Sequence, residues 1–336
     1  MLKEAITKLS NKQSLTKDEA YAAMNQIMSG EASDAQIAAF LMGMRLKGET
    51  VEEIAGCANV MREKAVRITS KHRNIIDTCG TGGDASGTFN ISTTAAIIAS
   101  AAGAVVAKHG NRAVSSKCGS ADVLKALGVN IEVAPDKATQ TLDEIGITFL
   151  FAPLMHGAMK YAAPVRKELG VRTIFNILGP LTNPAGAQRQ VLGVFSPVLT
   201  ETLAGVLKEL GSLHALVVHG EGGFDELSTV GWTKISELKN GKVDTYEVRV
   251  DQLGLKQTNV ESLRGGDAEQ NVAIMRAILD GQDGAARDIT LLNSGAALLV
   301  AGKANTLKEG VALARESVDS GAAKRKLKDW IEATNS

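Results

Sequence analysis

The sequence predicts an α/β protein in which a small helical domain is joined to a larger α/β domain with a mostly parallel central sheet. Two observations carry this prediction. Three segments among the first seventy residues read as capped amphipathic helices, and from about Asn74 onward short apolar runs alternate with helical patterns. We expect a helical domain at residues 1–70 and an α/β domain at residues 71–336. Some later helices are expected to join the first domain, which makes it partly discontinuous.

The N-terminal helices are predicted from three capping boxes, in which a Ser or Thr and a Glu or Gln three residues later each accept a backbone N–H. The boxes pair Thr16 with Glu19, Ser33 with Gln36 and Thr50 with Glu53. Apolar residues follow each box at helical spacing, so each helix has a face to bury. Methionines on these faces favour packing on the main domain or on a second copy of the chain, so a homodimer is our hypothesis.

The larger domain is predicted from short apolar runs that alternate with helical patterns. The expected strands are residues 75–77, 104–107, 149–152, 190–195 and 215–219. The expected helices between them are residues 92–102, 121–127, 137–145, 156–169 and 200–210. Asn240 and Gly241 form the expected turn of a late hairpin, since Asn-Gly accepts the positive φ angles of a two-residue turn. After Asp267 the pattern is helical again, and some of these helices are expected to return to the N-terminal bundle.

Composition limits the classes of function. The chain has 336 residues with 37 basic and 37 acidic side chains, so no global field attracts nucleic acid or an anionic membrane. Three scattered cysteines fit neither a disulfide framework nor a zinc motif and suit a reducing compartment. We find neither a membrane-spanning pattern nor a signal peptide. The expected location is therefore the cytoplasm, and any anion site must be local.

A glycine-rich segment at residues 80–84 is the first candidate for such a site. Gly80, Gly82 and Gly83 allow consecutive N–H groups to converge on an anion, and Asp84 follows them. The segment lacks the spacing of a dinucleotide fingerprint and the ending of a P-loop, and glycine-rich turns often only connect a strand to a helix. Hydroxyl residues at 86–94 then exceed what a single helix cap needs, which favours a binding role.

Two further segments place charge where strands are expected to end. Lys108 follows the apolar run 104–107, so it should emerge at the carboxyl end of a strand, where α/β sheets bind ligands. Its loop continues through hydroxyl residues to Ser120 and is either a lid or a solvated loop. Asp225 and Glu226 follow another expected strand. Adjacent carboxylates repel one another unless a cation lies beside them, and Mg²⁺ fits oxygen ligands, although an exposed acidic turn is the alternative.

Four motifs in order, at residues 77–84, 90–95, 108–112 and 225–226, together resemble the anthranilate phosphoribosyltransferases. Residues 175–184 and the helical start add to the resemblance, which covers nearly the whole chain. It implies the fold shared by nucleoside phosphorylases and such phosphoribosyltransferases, with a small helical domain joined to an α/β phosphoribosyl-binding domain, a site in the cleft between them and usually a homodimer. It also implies Mg²⁺ as cofactor, anthranilate and phosphoribosyl pyrophosphate (PRPP) as substrates, and a step of tryptophan biosynthesis.

The resemblance implies a role for each matching residue. The residues expected to bind PRPP are Gly80, Gly83, Asp84, Thr88, Asn90, Ser92, Thr93, Lys108, Ser115, Ser116 and Ser120. Those expected to bind or line the path of anthranilate are Gly80, His109, Asn111, Arg166 and Pro180. Ser92, Asp225 and Glu226 are expected to hold the metal, and Lys108, Asn111 and Arg166 to act in catalysis. Arg166 would share one helical face with His156, although a surface arginine is the commoner case.

The expected chemistry is displacement of pyrophosphate from the ribose by the aromatic amine. Mg²⁺ and Lys108 would neutralise the departing oxygens, and Arg166 and Asn111 would hold anthranilate in line. His109 is a possible proton acceptor, but a packing or hydrogen-bonding role is favoured. Two alternatives remain open. A pyrimidine nucleoside phosphorylase would need no paired carboxylates, and a nucleic-acid-binding relative would need a basic stripe that the sequence lacks.

Overall fold

The computed structural model describes residues 1–113 and 117–336. Its N-terminal part holds α1 (Leu2–Ser10), α2 (Lys17–Met28), α3 (Asp34–Lys47) and α4 (Val51–Lys64). The strands are β1 (Ile75–Asp77), β2 (Val105–Gly110), β3 (Ile147–Phe151), β4 (Arg189–Gly193), β5 (His214–Gly220), β6 (Trp232–Lys239) and β7 (Lys242–Arg249). The remaining helices are α5 (Ile91–Ala101), α6 (Ser120–Leu127), α7 (Pro135–Ile145), α8 (Ala152–Met155), α9 (Ala163–Leu169), α10 (Phe175–Leu178), α11 (Leu199–Glu209), α12 (Ala268–Leu279), α13 (Ala285–Val300), α14 (Leu307–Asp319) and α15 (Ala322–Asn335). Short 3₁₀ turns complete the segments around residues 157–161, 179–181, 250–253 and 261–263.

The seven strands form one sheet in the order β3-β2-β1-β4-β5-β6-β7. Strands β1 to β5 are parallel, and the hairpin β6–β7 continues the sheet as antiparallel strands. The predicted mostly parallel sheet is therefore confirmed, as is the Asn240-Gly241 turn, where both residues adopt positive φ angles. The short strand β1 lies between β2 and β4, so the loops that follow these three strands meet at one edge.

Helices cover both faces of the sheet. Alternate residues of one strand point to opposite faces, and Val191 packs with α5 and the C-terminal helices, whereas Leu192 packs with α1–α4 and α9–α11. The helices after Asp267 thus bury their apolar side chains against the sheet and α5. The expectation that they return to the N-terminal bundle is wrong, because the helices that pack on α3 and α4 are instead α9, α10 and α11.

The three capping boxes are confirmed at the starts of α2, α3 and α4, where both reciprocal hydrogen bonds form. The helix α1 was not predicted, since its N-cap Met1 makes no side-chain capping bond.

The prediction of a single helix at 156–169 is wrong. His156 leaves the helical conformation, a 3₁₀ turn spans Gly157–Tyr161, and α9 starts with Pro164 in its first turn. Proline lacks the N–H that a helix interior requires, so a helix can begin there but cannot pass through.

A buried ion pair stabilises the N-terminal bundle. Glu53 is fully buried, and its carboxylate accepts the N–H groups of Leu15 and Thr50, each at 2.8 Å. The ammonium of Lys47, which is also nearly buried, donates to the same carboxylate at 2.8 Å. One side chain therefore satisfies two backbone donors and one cation, and it joins the starts of α2 and α4 to the end of α3.

We predict that Glu53→Gln lowers the free energy of unfolding by about 3 kcal/mol, because it leaves a buried ammonium without its counter-charge. Urea denaturation measures the loss. The matched control is Glu209→Gln, which breaks the half-exposed pair of Lys17 and Glu209 and should cost less than about 0.5 kcal/mol. Equal losses in the two variants would contradict the prediction.

Candidate active site

The carboxyl edge of the parallel strands gathers the charged side chains that the motifs contain. Thr78 and Gly80 follow β1, Lys108 lies near the end of β2, Gly193 ends β4, and Asp225 follows β5. Because β1 lies between β2 and β4, its loop can contact the others. A small cavity lies there, lined in part by Thr78, Gly80, Gly193 and Asp225. The structure therefore forms its candidate site at the sheet edge, as expected for an α/β fold.

Lys108 is the buried cation of this site. The strand β2 runs three residues beyond the predicted end, so Lys108 lies within it and only 1% of the side chain is exposed. Its ammonium donates to the carbonyl of Thr78 at 2.9 Å, to the hydroxyl of Thr78 at 3.3 Å and to the hydroxyl of Ser92 at 3.3 Å. All three acceptors are neutral, so the cation keeps its full charge for an anion.

Three carboxyl groups lie opposite Lys108. Glu226 accepts the N–H of Ser92 at 3.1 Å, Asp225 accepts the N–H of Gly82 at 2.7 Å, and Asp84 approaches the N–H of Asp225 at 3.5 Å. Desolvation, and then the negative charge of Asp84, raise the pKa of Asp225 to about 7. Desolvation, and then the charge of Asp225, raise the pKa of Glu226 to about 8, although Lys108 opposes the shift.

The raised pKa values of Asp225 and Glu226 have a simple physical cause. Carboxylates that are withdrawn from water and face one another are unfavourable as anions unless a cation joins them. The structure brings Ser92, Asp225 and Glu226 together, and Asp84 lies beside Asp225. The donors are oxygen atoms, which are the ligands that Mg²⁺ prefers, so the residues present fit a magnesium ion.

Two glycines allow the loops to approach one another closely. A Cβ at Gly80 would lie 2.8 Å from Oδ2 of Asp225, and a Cβ at Gly193 would lie 1.5 Å from the carbonyl oxygen of Asp225. A side chain at Gly193 would collide with the backbone of Asp225 and push its loop away from β4, whereas a side chain at Gly80 would displace the carboxylate end of Asp225.

The glycine-rich loop differs in part from its prediction. Gly82 and Gly83 adopt positive φ angles, as does Ala85, which is unusual for a residue with a Cβ. The N–H of Thr81, however, donates to the carbonyl of Gly193 at 2.8 Å, and the N–H of Gly82 donates to Asp225. These two donors point at the protein itself and do not converge on an external anion. The loop's main role in this structure is to hold Asp225.

The polar residues around α5 and α6 bond mainly to other groups of the protein. Thr88 contacts the hydroxyl of Ser86 at 3.2 Å, and Asn90 donates to the carbonyl of Cys118 at 3.2 Å. Thr93 is buried and its hydroxyl has no hydrogen-bond partner among the residues described. Ser120 begins α6 and is half-buried. Ser115 and Ser116 lie outside the described residues.

A pair of histidines forms the uncharged side of the site. The Nε2 atoms of His109 and His156 lie 3.1 Å apart, and the two rings meet edge to face. Burial, and then the proximity of His156, lower the pKa of His109 to about 3, and burial lowers that of His156 to about 4. Both rings are therefore neutral near pH 7. Pro180 is also buried, and its carbonyl accepts the side-chain amide of Gln190 at 2.7 Å.

Arg166 and Asn111 make their contacts with other parts of the chain than Lys108 and Asp225. Arg166, in the last turn of α9, places its guanidinium 5.0 Å from the ring centre of Phe175, and burial lowers its pKa. Phe175 begins the short helix α10, which leads into the turn that contains Pro180. Asn111 is exposed, and its side-chain oxygen accepts the N–H of Arg112 at 2.7 Å. None of the contacts found among the described residues joins either side chain to Lys108 or Asp225.

Three residues at the site were not predicted. Asp77 is fully buried at the end of β1 and accepts the side-chain amide of Asn183 at 2.7 Å. Arg172 donates to the carbonyl of Gly83 and lies over the ring of Phe195. The sequence offered one signal for Asp77, since an acidic residue ends the otherwise apolar run 75–77. Asn183 and Arg172 give no such signal, because their partners are distant in the sequence.

Asp77, Cys79 and His109 also place one potential metal-ligand atom each within 4.8 Å of one another. Both carboxylate oxygens of Asp77 already accept hydrogen bonds, one from the N–H of His109 and one from Asn183. Desolvation raises the pKa of the Cys79 thiol well above its usual range, so a thiolate ligand is disfavoured. We therefore interpret this cluster as hydrogen-bonded packing.

The comparisons with known proteins agree with this geometry. The description "Glycosyl transferase family, helical bundle domain" matches residues 3–65, and "Glycosyl transferase family, a/b domain" matches residues 72–324. The chain therefore belongs to this glycosyl transferase family. Within the family it belongs with the anthranilate phosphoribosyltransferases, since the enzyme of that name from Moorella thermoacetica is 54% identical over 99% of both chains.

Solved structures give the same result. The crystal structure of anthranilate phosphoribosyltransferase from Thermus thermophilus is 46% identical, with a TM-score of 0.94 over 99% of both chains. The Saccharomyces cerevisiae enzyme in complex with PRPP and Mg is 27% identical, with a TM-score of 0.90 over 99% of this chain and 98% of that one. The same yeast enzyme in complex with 4-fluoroanthranilate is 26% identical, with a TM-score of 0.89 over 99% and 97%.

Among the helices at residues 1–113 and 117–336, none combines the length and apolar character needed to cross a bilayer.

We predict that Gly80→Ala weakens divalent-cation binding about tenfold, because the added Cβ displaces the carboxylate of Asp225. Magnesium titration followed by thermal unfolding measures the midpoint. The control is Gly157→Ala, since a Cβ there meets nothing within 4 Å and the residue has no positive φ. A midpoint equal to that of the control would show that Asp225 does not depend on this glycine.

Proposed function

We infer that the chain transfers the phosphoribosyl group of PRPP to the amine of anthranilate, which gives N-(5-phosphoribosyl)anthranilate and pyrophosphate in tryptophan biosynthesis. The observation that carries this conclusion is the pairing of a buried cation, Lys108, with the carboxylates of Asp225 and Glu226 at the sheet edge. A pyrophosphate that binds together with a divalent cation needs a positive side chain for its own oxygens and carboxylates for the cation. The family relationship over the whole chain supports the same reaction.

Mg²⁺ is proposed as the cofactor, held by Ser92, Asp225 and Glu226, with Asp84 nearby. When bound, the ion supplies positive charge that neutralises phosphate oxygens. The yeast relative was solved in complex with PRPP and Mg, which supports the proposal. The raised pKa values of Asp225 and Glu226 also support it, since desolvation and mutual repulsion oppose ionisation of the two neighbouring carboxyl groups and a cation would relieve both.

Lys108 is proposed to bind the pyrophosphate of PRPP. It exchanges its neutral acceptors, Thr78 and Ser92, for phosphate oxygens, which are stronger acceptors for an ammonium. The charge of Lys108 then offsets the negative charge that grows on the leaving group. Gly80, Gly83, Thr88, Asn90, Thr93, Ser115, Ser116 and Ser120 are proposed to complete the PRPP site.

Anthranilate is proposed to lie on the side of the histidine pair. Arg166 offers a planar guanidinium to its carboxylate, Asn111 and Pro180 help to orient it, and the neutral His109 lines its path. The low pKa of His109 makes it a weak base. An aromatic amine is already neutral near pH 7, so positioning rather than proton removal is the main task of these residues.

A cytoplasmic homodimer completes the proposal. The apolar faces of the N-terminal helices support the dimer, although α2, α3 and α4 bury much of their apolar surface within one chain. Gel filtration with light scattering tests the assembly.

The function is tested by mixing the purified protein with anthranilate, PRPP and Mg²⁺ and following anthranilate fluorescence, with and without chelator. We expect a loss of fluorescence that requires the metal. A folded protein that leaves anthranilate unchanged would overturn the proposal. Activity on pyrimidine nucleosides with phosphate, or salt-dependent retention on DNA, would then distinguish the two alternatives.

We predict that Arg166→Ala mainly raises the KM for anthranilate, by about tenfold, because it removes the cation for the carboxylate. His109→Ala should slow turnover only modestly, since a neutral, weakly basic ring is lost. The control is Lys167→Ala, which removes the exposed neighbouring cation of α9 and should change neither constant. Steady-state kinetics measure all three, and the reverse division between Arg166 and His109 would contradict these roles.

We predict that the stabilisation by Mg²⁺ increases from about pH 6 to about pH 8.5. The folded pKa values of Asp225 and Glu226 are raised, so protons occupy these groups below about pH 7 and compete with the ion. In the metal-free protein, ionising them costs stability as the pH rises, and the ion offsets that cost. Thermal unfolding with and without Mg²⁺ measures the effect, which should be absent in Asp225→Asn. A shift independent of pH would contradict this prediction.

A further inference from the structure

Lys108 is buried without a carboxylate in direct contact. Its ammonium donates only to neutral oxygens, and no ion pair within 4.0 Å found among residues 1–113 and 117–336 includes it. Removing an ammonium from water is costly unless nearby charges and dipoles compensate for the lost hydration. A negative charge beyond these first contacts would compensate for part of the hydration that the ammonium loses.

Asp77 supplies a negative charge on the adjacent strand. It ends β1, which pairs with β2, and it has no solvent-exposed surface. Burial raises the pKa of this carboxyl to about 6, and the positive charge of Lys108 is the largest influence that opposes the rise. Asp77 is therefore mostly ionised above about pH 7 and interacts with Lys108 through space. Glu226 is the other carboxyl group influenced by Lys108, but it belongs to the proposed cation site.

Asp77 also holds the backbone of Lys108, together with Asn183. The carboxylate accepts the N–H of His109 at 3.1 Å and the side-chain amide of Asn183 at 2.7 Å. The same amide donates to the carbonyl of Ala107 at 2.8 Å. The peptide groups on both sides of Lys108 are thus bound to one buried pair of side chains.

Asn183 is itself fixed by its own turn. Its side-chain oxygen accepts the N–H of Ala185 at 2.9 Å, and the residue is buried. The amide is therefore oriented with its donors toward Asp77 and Ala107, which no carboxylate or apolar side chain could imitate.

We propose that Asp77 and Asn183 are positioning residues for Lys108, which fix the strand around it and compensate its buried charge while leaving its ammonium free for the pyrophosphate of PRPP. This inference rests on the proposed function. Both carboxylate oxygens of Asp77 accept hydrogen bonds from His109 and Asn183, so we expect Asp77 to act through the position and charge of Lys108 and not by contact with substrate. A direct ion pair would occupy the donors of the ammonium, whereas the distant carboxylate does not.

The test measures the affinity for PRPP by calorimetry in the presence of Mg²⁺, so that it does not depend on turnover. Wild-type protein is compared with Asp77→Asn, Lys108→Met and the double variant. We expect Asp77→Asn to weaken PRPP binding about tenfold, because a buried charged hydrogen bond is lost and two amide groups then oppose one another. In the Lys108→Met background, the same change should have less than about a twofold effect.

The matched control is Glu53→Gln, which neutralises another buried carboxylate far along the chain in the N-terminal bundle. It should lower the thermal midpoint and leave PRPP affinity unchanged, whereas a general loss of stability would affect both. If Asp77→Asn does not fold, Asn183→Ala is measured in its place, since it keeps the carboxylate and removes the link to Ala107. It should also weaken PRPP binding, and only in the presence of Lys108.

Two results would overturn the inference. One is unchanged PRPP affinity in folded Asp77→Asn, and the other is an equal loss with and without Lys108. Either result leaves the proposed function intact, provided that wild-type protein consumes anthranilate in the fluorescence assay. Wild-type protein that binds no PRPP and consumes no anthranilate would overturn the proposed function and this inference together.

Discussion

The site depends on a balance of buried charge at the carboxyl edge of the sheet. Lys108 is withdrawn from water, and its positive charge acts on the carboxyl groups of Asp77 and Glu226. Desolvation and mutual repulsion raise the pKa values of Asp225 and Glu226. The proposed divalent cation and pyrophosphate would supply a positive charge for these carboxyl groups and an anion for Lys108.

The two sides of the site differ in polarity for a structural reason. The phosphate side is built from strand ends and glycine-containing loops, which bring backbone and carboxylates together. The other side is built by the broken segment from α8 to the 3₁₀ turn after α10, which carries His156, Arg166 and Pro180 and packs on the N-terminal helices. Burial keeps His109 and His156 neutral, so the positive charge of this segment comes from its arginines and lysines, Arg166 and Arg172 among them. The proposed placement of pyrophosphate beside Lys108, and of the aromatic acid beside the histidines and Arg166, matches this difference in polarity.

Much of the fold followed from local patterns. The capping boxes and the hairpin turn are local features, and each is predicted from a few neighbouring residues. The mostly parallel sheet is predicted from the alternation of apolar runs and helical patterns along the chain. The errors occurred where the pattern was ambiguous. A periodic apolar run suggested one helix at 156–169, but Pro164 starts a new helix there. The strand before Lys108 was ended too early, because a buried lysine looks like a loop residue when only the sequence is read.

The sequence by itself determined which residue types stand at the ends of the strands, and the family resemblance assigned them roles. Only the tertiary structure decided which of them meet. The strand order places β1 between β2 and β4, so Ser92, Lys108 and Glu226 converge although they are far apart in the chain. The tertiary structure also shows that the side-chain amide of Asn183 bridges Asp77 and Ala107. Such contacts depend on the packing of distant segments, and no local pattern encodes them, because spacing along a chain does not specify distance across a sheet.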